Sequence, residues 1–278
     1  MRKAGRQLLK LNTMNILRTP LSYYGGKQKL ASTIVKFIPT HTLYAEPFLG
    51  GAAVYFAKRP SEVEVINDTN SELMNFYRVC KNRFHDLQSL VRVTLHSRKD
   101  HDDAWIIYNK PHLFDEVRRA WAVWVLSTQS FASGLDRNWG YDKTERTTTT
   151  KITNKREQFT EQLALRLQQA QIECADALYI IQSRDNVKSF FYCDPPYYNS
   201  NCGHYDGYSE SDFEALLKLL AGIKGKFLLS SYPSQLLQRY TKLNGWQMWS
   251  VEQGISINSK SGYIKRKIEV LAANYELK

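Results

Sequence analysis

The chain has 278 residues, of which 43% are hydrophobic and 23% charged, which excludes a disordered polymer and leaves room for one large domain or two modest ones. No apolar run approaches the roughly 18 residues of a membrane span, so no membrane role is expected. A formal charge of +11, with 13% aromatic residues, favours a polyanionic partner over a merely solvated basic surface, because Lys and Arg contacts to phosphate release counterions.

Residues 1–19 read as a basic arm without the apolar stretch of a signal peptide, and Met14 is an alternative start. Thr42-Leu43-Tyr44-Ala45 reads as a short buried strand, Glu46-Pro47-Phe48-Leu49-Gly50-Gly51 as a turn, and residues 52–58 as an amphipathic helix. Glu62-Val63-Glu64-Val65-Ile66 alternates as a second strand ending at Asn67-Asp68. This is a βαβ unit with glycines at its first turn, the usual cradle of a nucleotide-like ligand. An acid at the position of Asp68 can accept both hydroxyls of a ribose, although it can also cap the helix that follows.

From 71 to 126 the pattern is helical, with runs ending near 81, over 84–95 and over 114–127. The stretch 131–141 is rich in turn formers and aromatics and leads into four threonines at 147–150 and a basic run at 151–156. It reads as a hairpin or extended loop with cationic reach. Arg137, Asn138, Trp139 and Lys143 sit in it, where Arg reads guanine and Asn reads adenine in a major groove, or where they contact phosphate alone. A helix over 157–169 and a strand at Ile172-Glu173-Cys174-Ala175-Asp176 follow. Further strands are expected at 190–194 and 227–231, then an antiparallel pair at 246–252 and 265–274. The expected organisation is an α/β domain of residues 20–74 and 166–278, interrupted by a mainly helical insertion over 75–165.

Four cysteines (Cys80, Cys174, Cys193, Cys202) form no C-x-x-C pair, and six histidines form no metal motif. Free thiols, a reducing cytoplasmic setting and no metal are expected. Cys174 and Cys193 fall in apolar runs, where a thiol is a small hydrophobe.

The apolar run Phe190-Phe191-Tyr192-Cys193 is stopped by Asp194-Pro195-Pro196-Tyr197, since proline cannot donate to a strand ladder. The carboxyl end of a strand is where open α/β sheets place ligands. A carboxylate, the Pro195 carbonyl and an aromatic ring gathered there suit a planar group bearing an exocyclic amine. An ordinary strand exit is the plainer alternative. The next loop, 198–208, has glycines at 203 and 207 and aromatics suited to closing over a base, with a disordered surface loop as the plainer alternative.

Four segments together resemble the Dam-type (D12 class) DNA adenine-N6 methyltransferases: Tyr23-Tyr24-Gly25-Gly26-Lys27, the Glu46 to Gly51 turn, Asp68-Thr69-Asn70 and Asp194-Pro195-Pro196-Tyr197. The similarity covers about residues 20–275. It implies a Rossmann-like methyltransferase sheet with an inserted target-recognition region. It further implies methyl transfer from S-adenosyl-L-methionine to the N6 amine of an adenine flipped out of duplex DNA. By the same resemblance Tyr23, Lys27, Phe48, Gly50, Asp68, Asp176 and Asp194 are expected to contact the cofactor. Asp194, Pro195, Pro196 and Tyr197 are expected to act on the base. A monomer is expected, in a bacterial cytoplasm or encoded by a phage and acting in its host; whether a cognate restriction endonuclease accompanies it stays open. Rival readings are methylation of RNA adenine or a protein amide, and a non-catalytic DNA-binding relative. One departure is Ala52 at the second glycine of the cofactor motif, expected to permit close helix packing and to weaken binding at most.

Overall fold

The computed structural model describes residues 17–198, 208–255 and 265–277, with backbone alone for 253–255 and 265–267. The chain runs through α1 (Ala31–Phe37), β1 (Leu43–Glu46), α2 (Ala53–Ala57), β2 (Val63–Asn67), α3 (Ser71–Asn82), α4 (Phe84–Val93), α5 (Arg98–Asn109) and α6 (Glu116–Gln129). It continues through α7 (Thr147–Glu157), α8 (Glu161–Leu167), β3 (Ala170–Glu173), α9 (Ala177–Arg184), β4 (Ser189–Cys193) and α10 (Glu210–Leu220). Last come β5 (Lys226–Ser231), α11 (Gln235–Asn244), β6 (Gln247–Ile255) and β7 (Lys265–Ala273). The strand order is β3-β2-β1-β4-β5-β7-β6, a Rossmann-like α/β arrangement. Most of the expected arm and of the loop after Tyr198 lies outside the described residues.

Two compact units divide the chain: residues up to 36 with 49–175, and residues 37–48 with 176 onward. In the first, β2 and β3 pair in parallel, Ile66 opposite Ile172. Their carboxyl ends are tied by Asn67, whose side-chain amide donates to the Ala175 carbonyl (3.0 Å) and accepts its N–H (2.9 Å). The helical part is centred on α6, which buries every residue from Ala122 to Gln129 and so lacks a solvent face. Asn70 caps α3 by accepting the Glu72 and Leu73 N–H groups, and a fork of Arg119 on Glu72 (2.6 and 2.9 Å) joins α3 to α6.

The second unit holds β1 and β4 in parallel (Tyr44 opposite Phe190), and β4 and β5 in parallel (Tyr192 opposite Leu228). β7 runs antiparallel to β5, and β6 antiparallel to β7, so the terminal pair is the expected antiparallel one. All five residues of β4 are buried, as a strand with neighbours on both edges requires. The order reverses between β1 and β4, where sheets of this kind bind ligands.

Three local expectations differ from the structure. The span 147–157 is the helix α7 rather than part of a hairpin or loop. Its four threonines are poor helix formers, but Asp142 accepts the Thr148 and Thr149 N–H groups (2.7 and 2.9 Å) at the first turn, and Ile152 and Lys155 are buried. The helix expected over 157–169 is confined to α8, and β3 begins two residues before its predicted start and stops at Glu173. Cys174 therefore lies past the strand and is exposed, whereas Cys193 on β4 is buried as a small hydrophobe.

Candidate active site

The turn after β1 begins at Leu49, whose N–H donates to the Asn67 carbonyl (2.8 Å). Gly50 follows with φ of +48°, its N–H on Asp68 Oδ2 (2.9 Å) and its carbonyl accepting the Tyr77 hydroxyl (3.0 Å). Glycine is required twice here. A Cβ on Gly51 would lie 2.8 Å from the Tyr23 Cβ, and one on Gly50 would lie 3.3 Å from the Tyr23 ring. Tyr23 in turn accepts the Gly26 N–H on its carbonyl (3.0 Å), and buried Lys27 donates to the Gly25 carbonyl (3.0 Å). The first motif and the glycine turn thus form one backbone cradle.

Asp68 is the hinge of that cradle. Its Oδ2 takes Gly50 and its Oδ1 takes the Asn70 N–H (3.0 Å). Burial pushes its carboxyl above the usual range, against the pull of the Asn70, Gly50 and Thr69 N–H groups. The N-cap of α3 is Asn70, so Asp68 does not serve the helix directly. A carboxylate offers about four lone-pair directions, so the Gly50, Asn70 and Thr69 N–H groups leave Asp68 acceptor capacity toward a hydroxyl.

Ala52, at the second glycine of the motif, has φ of +55° and is fully buried. The family's glycine at this place answers a backbone need, which differs from the helix packing expected of it. An alanine there costs on the order of 1–2 kcal/mol.

In the other unit, β1 and β4 leave the sheet at the same edge. Glu46, 1% exposed, ends β1 and accepts the Tyr44 hydroxyl (2.5 Å). Phe48 lies edge-on to Tyr208 at 6.5 Å. Asp194 leaves β4 with Pro195 buried behind it, and Tyr197 donates its hydroxyl to Asp194 Oδ1 (2.9 Å). The same hydroxyl pairs with Ser230 Oγ at 2.9 Å, and the Tyr232 ring packs on Tyr197 at 4.4 Å. Burial, then the charges of Asp194 and Glu269, push the Tyr197 phenol well up, so it remains a donor at neutral pH. Tyr197 therefore orients the carboxylate as well as offering an aromatic surface. Asp176 caps α9, its Oδ1 accepting the Tyr179 N–H (3.0 Å).

The four recognition candidates do not share one environment. Asn138 and Lys143 are exposed. Trp139 is taken into packing: it stacks on Tyr141 (5.6 Å), lies 5.0 Å from His96, carries Arg98 over its face and donates Nε1 to Gln129 (3.3 Å). Arg137 lies 6.0 Å above the Tyr24 ring. The loop is pinned at its base by the Ser130–Trp139 bridge.

Sequence reasoning passed over Ser230 and Tyr232 as site residues. The signal was there: in Leu228-Leu229-Ser230-Ser231-Tyr232-Pro233, as at the end of β4, an apolar run gives way to polar residues, an aromatic and proline, though in a different order.

The sequence matches the D12 class N6 adenine-specific DNA methyltransferase family over residues 23–260. It is 27% identical over 215 residues to a DNA N-6-adenine-methyltransferase of Escherichia phage P1, covering 71% of this chain and 26% of that protein. It is 30% identical to the type II methyltransferase M.MjaIII of Methanocaldococcus jannaschii (69% of this chain, 74% of that one). It is 25% identical to the DNA adenine methylase of Salmonella typhi (93% and 95%). The chain belongs to the D12 class N6 adenine-specific DNA methyltransferase family. It spans about a quarter of the phage P1 protein's length.

Proposed function

We propose that the protein transfers a methyl group from S-adenosyl-L-methionine to the exocyclic N6 amine of adenine in DNA. The observation that carries this is the corner after β4: a carboxylate aimed by a tyrosine hydroxyl, with a proline carbonyl one residue on. When bound, S-adenosyl-L-methionine supplies an electrophilic methyl group. The residues present fit it, because a cradle that a single Cβ would obstruct at Gly51 admits close backbone approach, and Asp68 retains acceptor capacity for a ribose. Tyr23, Lys27, Phe48 and Gly50 are assigned to that binding, with Asp176 toward the purine.

The work of Asp194 follows from its chemistry. Its second oxygen and the Pro195 carbonyl accept the two N–H bonds of an adenine amine and hold its lone pair out of the ring plane. The same acceptors stabilise the positive charge that grows on nitrogen during transfer, and Asp194 takes the proton afterwards. Pro196 keeps that backbone from turning back into the ladder. Tyr197 offers its ring to the base, which must leave the duplex stack to reach the site. Residues 75–165 are assigned to target recognition, and Asn138 and Lys143, both exposed, to contact with DNA.

The test is transfer of tritiated methyl to unmethylated duplex DNA. The wild type should label DNA; Asp194→Ala should lose at least about 10²–10³-fold while DNA binding is retained. Labelling by Asp194→Ala at the wild-type rate would end this assignment.

A further inference from the structure

A residue of the insertion reaches into the cradle from outside the family motifs. Lys155, on α7, is 5% exposed, and its ammonium donates to the Thr19 carbonyl (2.5 Å) and the Leu21 carbonyl (3.0 Å). Thr19 is itself buried; its hydroxyl accepts the Leu21 N–H (3.2 Å) and donates to the Gly51 carbonyl. Leu21 stands two residues before Tyr23, whose side chain lies against the Cβ positions of Gly50 and Gly51. One lysine thus fixes the segment that delivers Tyr23, and through Thr19 it fixes the glycine turn that Tyr23 covers.

The arrangement is costly. Burial, followed by the neighbouring cations Lys151 and Arg18, lowers the Lys155 ammonium to about 8. Lys151 lies one turn earlier on the same helix, and Arg18 is exposed on the segment that Lys155 grips. Among the described residues its hydrogen bonds go to carbonyls, and a buried cation so held adds little to stability, so its place points to another purpose.

We propose that Lys155 is a positioning residue for cofactor binding, a clamp from the recognition insertion that sets the Tyr23–Gly51 contact. This rests on the reading of the cradle as the site of S-adenosyl-L-methionine. Lys155 touches no reacting atom; it acts through Thr19 and Leu21. Loss of its positive charge leaves a neutral amine with two N–H donors, enough for both carbonyls, so the clamp depends on the donors rather than on the charge.

The experiment is calorimetric titration of the full chain with S-adenosylhomocysteine, alongside thermal melting. Lys155→Met should weaken binding about tenfold while the melting temperature holds or rises, since an unpaired buried charge has been removed. Thr19→Val should weaken binding in the same direction, Thr19→Ser should restore it, and the double variant Lys155→Met with Thr19→Val should fall short of additivity. A lysine with a merely structural role would lower the melting temperature and leave the affinity of the folded protein unchanged. Binding by Lys155→Met within twofold of wild type overturns the clamp alone. Should Lys155→Met fail to fold, equal affinities for Thr19→Val and Thr19→Ser overturn it instead. If the wild type takes up no S-adenosylhomocysteine, the reading of the cradle fails, and the clamp with it.

Discussion

In the cradle between Gly50 and Asp68, the atoms held in place are backbone: the Leu49 and Gly50 N–H groups and the Gly50 and Gly51 carbonyls each have a fixed partner. At the end of β4 the fixed atoms are side chains, with Asp194 aimed by Tyr197 and Tyr197 aimed by Ser230 and Tyr232. A backbone site cannot be disturbed without disturbing the fold around it. A side-chain site can lose its aim while the strand beneath stays whole. Changes to the cradle's own backbone, such as a side chain added at Gly51, should therefore move stability and cofactor affinity together, and changes at the corner should move turnover alone.

The largest expected effect lies beneath the cradle. Glu64 on β2 is 1% exposed and receives Lys58 (2.5 Å) and both terminal nitrogens of Arg166, which also holds the Tyr55 hydroxyl (2.7 Å) and carbonyl (3.1 Å). This cluster ties α2 and α8 to the strand that carries Asp68. Glu64→Ala takes the carboxylate away from two buried cations and should cost about 3–5 kcal/mol of unfolding free energy, read by denaturant titration. The pH dependence has a definite sign. Burial pushes the Glu64 carboxyl up, but Arg166 and Lys58 outweigh it and hold it below its ordinary value. Its stabilisation is thus complete above the unfolded glutamate's value and is lost as pH falls through the lower folded one. Glu64→Gln should flatten the acid limb of the stability curve in that window.

Tyr197→Phe removes both hydroxyl bonds at the corner. Turnover in a methyl-transfer assay should fall roughly 10- to 100-fold, the worth of about 1.5–3 kcal/mol for a hydrogen bond to a charged group, with cofactor affinity and melting temperature nearly unchanged. Equal losses in affinity and turnover would blur the contrast between the two regions. Gly51→Ala should do the reverse, costing about 1–3 kcal/mol of stability and weakening S-adenosylhomocysteine in calorimetry, because the new methyl meets Tyr23 at 2.8 Å. The smallest effect should be a gain. Ala52→Gly relieves about 1–2 kcal/mol of left-handed strain and forfeits about 0.8 kcal/mol of methyl burial, for a net rise of about 0.2–1.2 kcal/mol in unfolding free energy.

The same division explains what could be read from the chain. Glycines, prolines and strand-ending acids leave marks in sequence, so β1, β2 and β4, their turns and the candidate residues at their ends were legible. Partners supplied by distant segments leave none. Ser230 and Tyr232 at β5, and Lys155 on α7, act through contacts that only the folded chain creates. The helix α7 was misread for a related reason: threonine propensity argues against it, and the cap that starts it belongs to Asp142, outside the helix. Ala52 stands out in the sequence as a departure from the motif, but residue size carries no sign of its left-handed backbone.

The most direct measurement is the identity of the modified base. Unmethylated duplex DNA would be incubated with the full chain and S-adenosyl-L-methionine, digested to nucleosides and analysed by mass spectrometry. N6-methyldeoxyadenosine is expected with the wild type and none with Asp194→Ala. A methyl group found on cytosine, or no modified nucleoside from a wild-type protein that binds both cofactor and DNA, would contradict it.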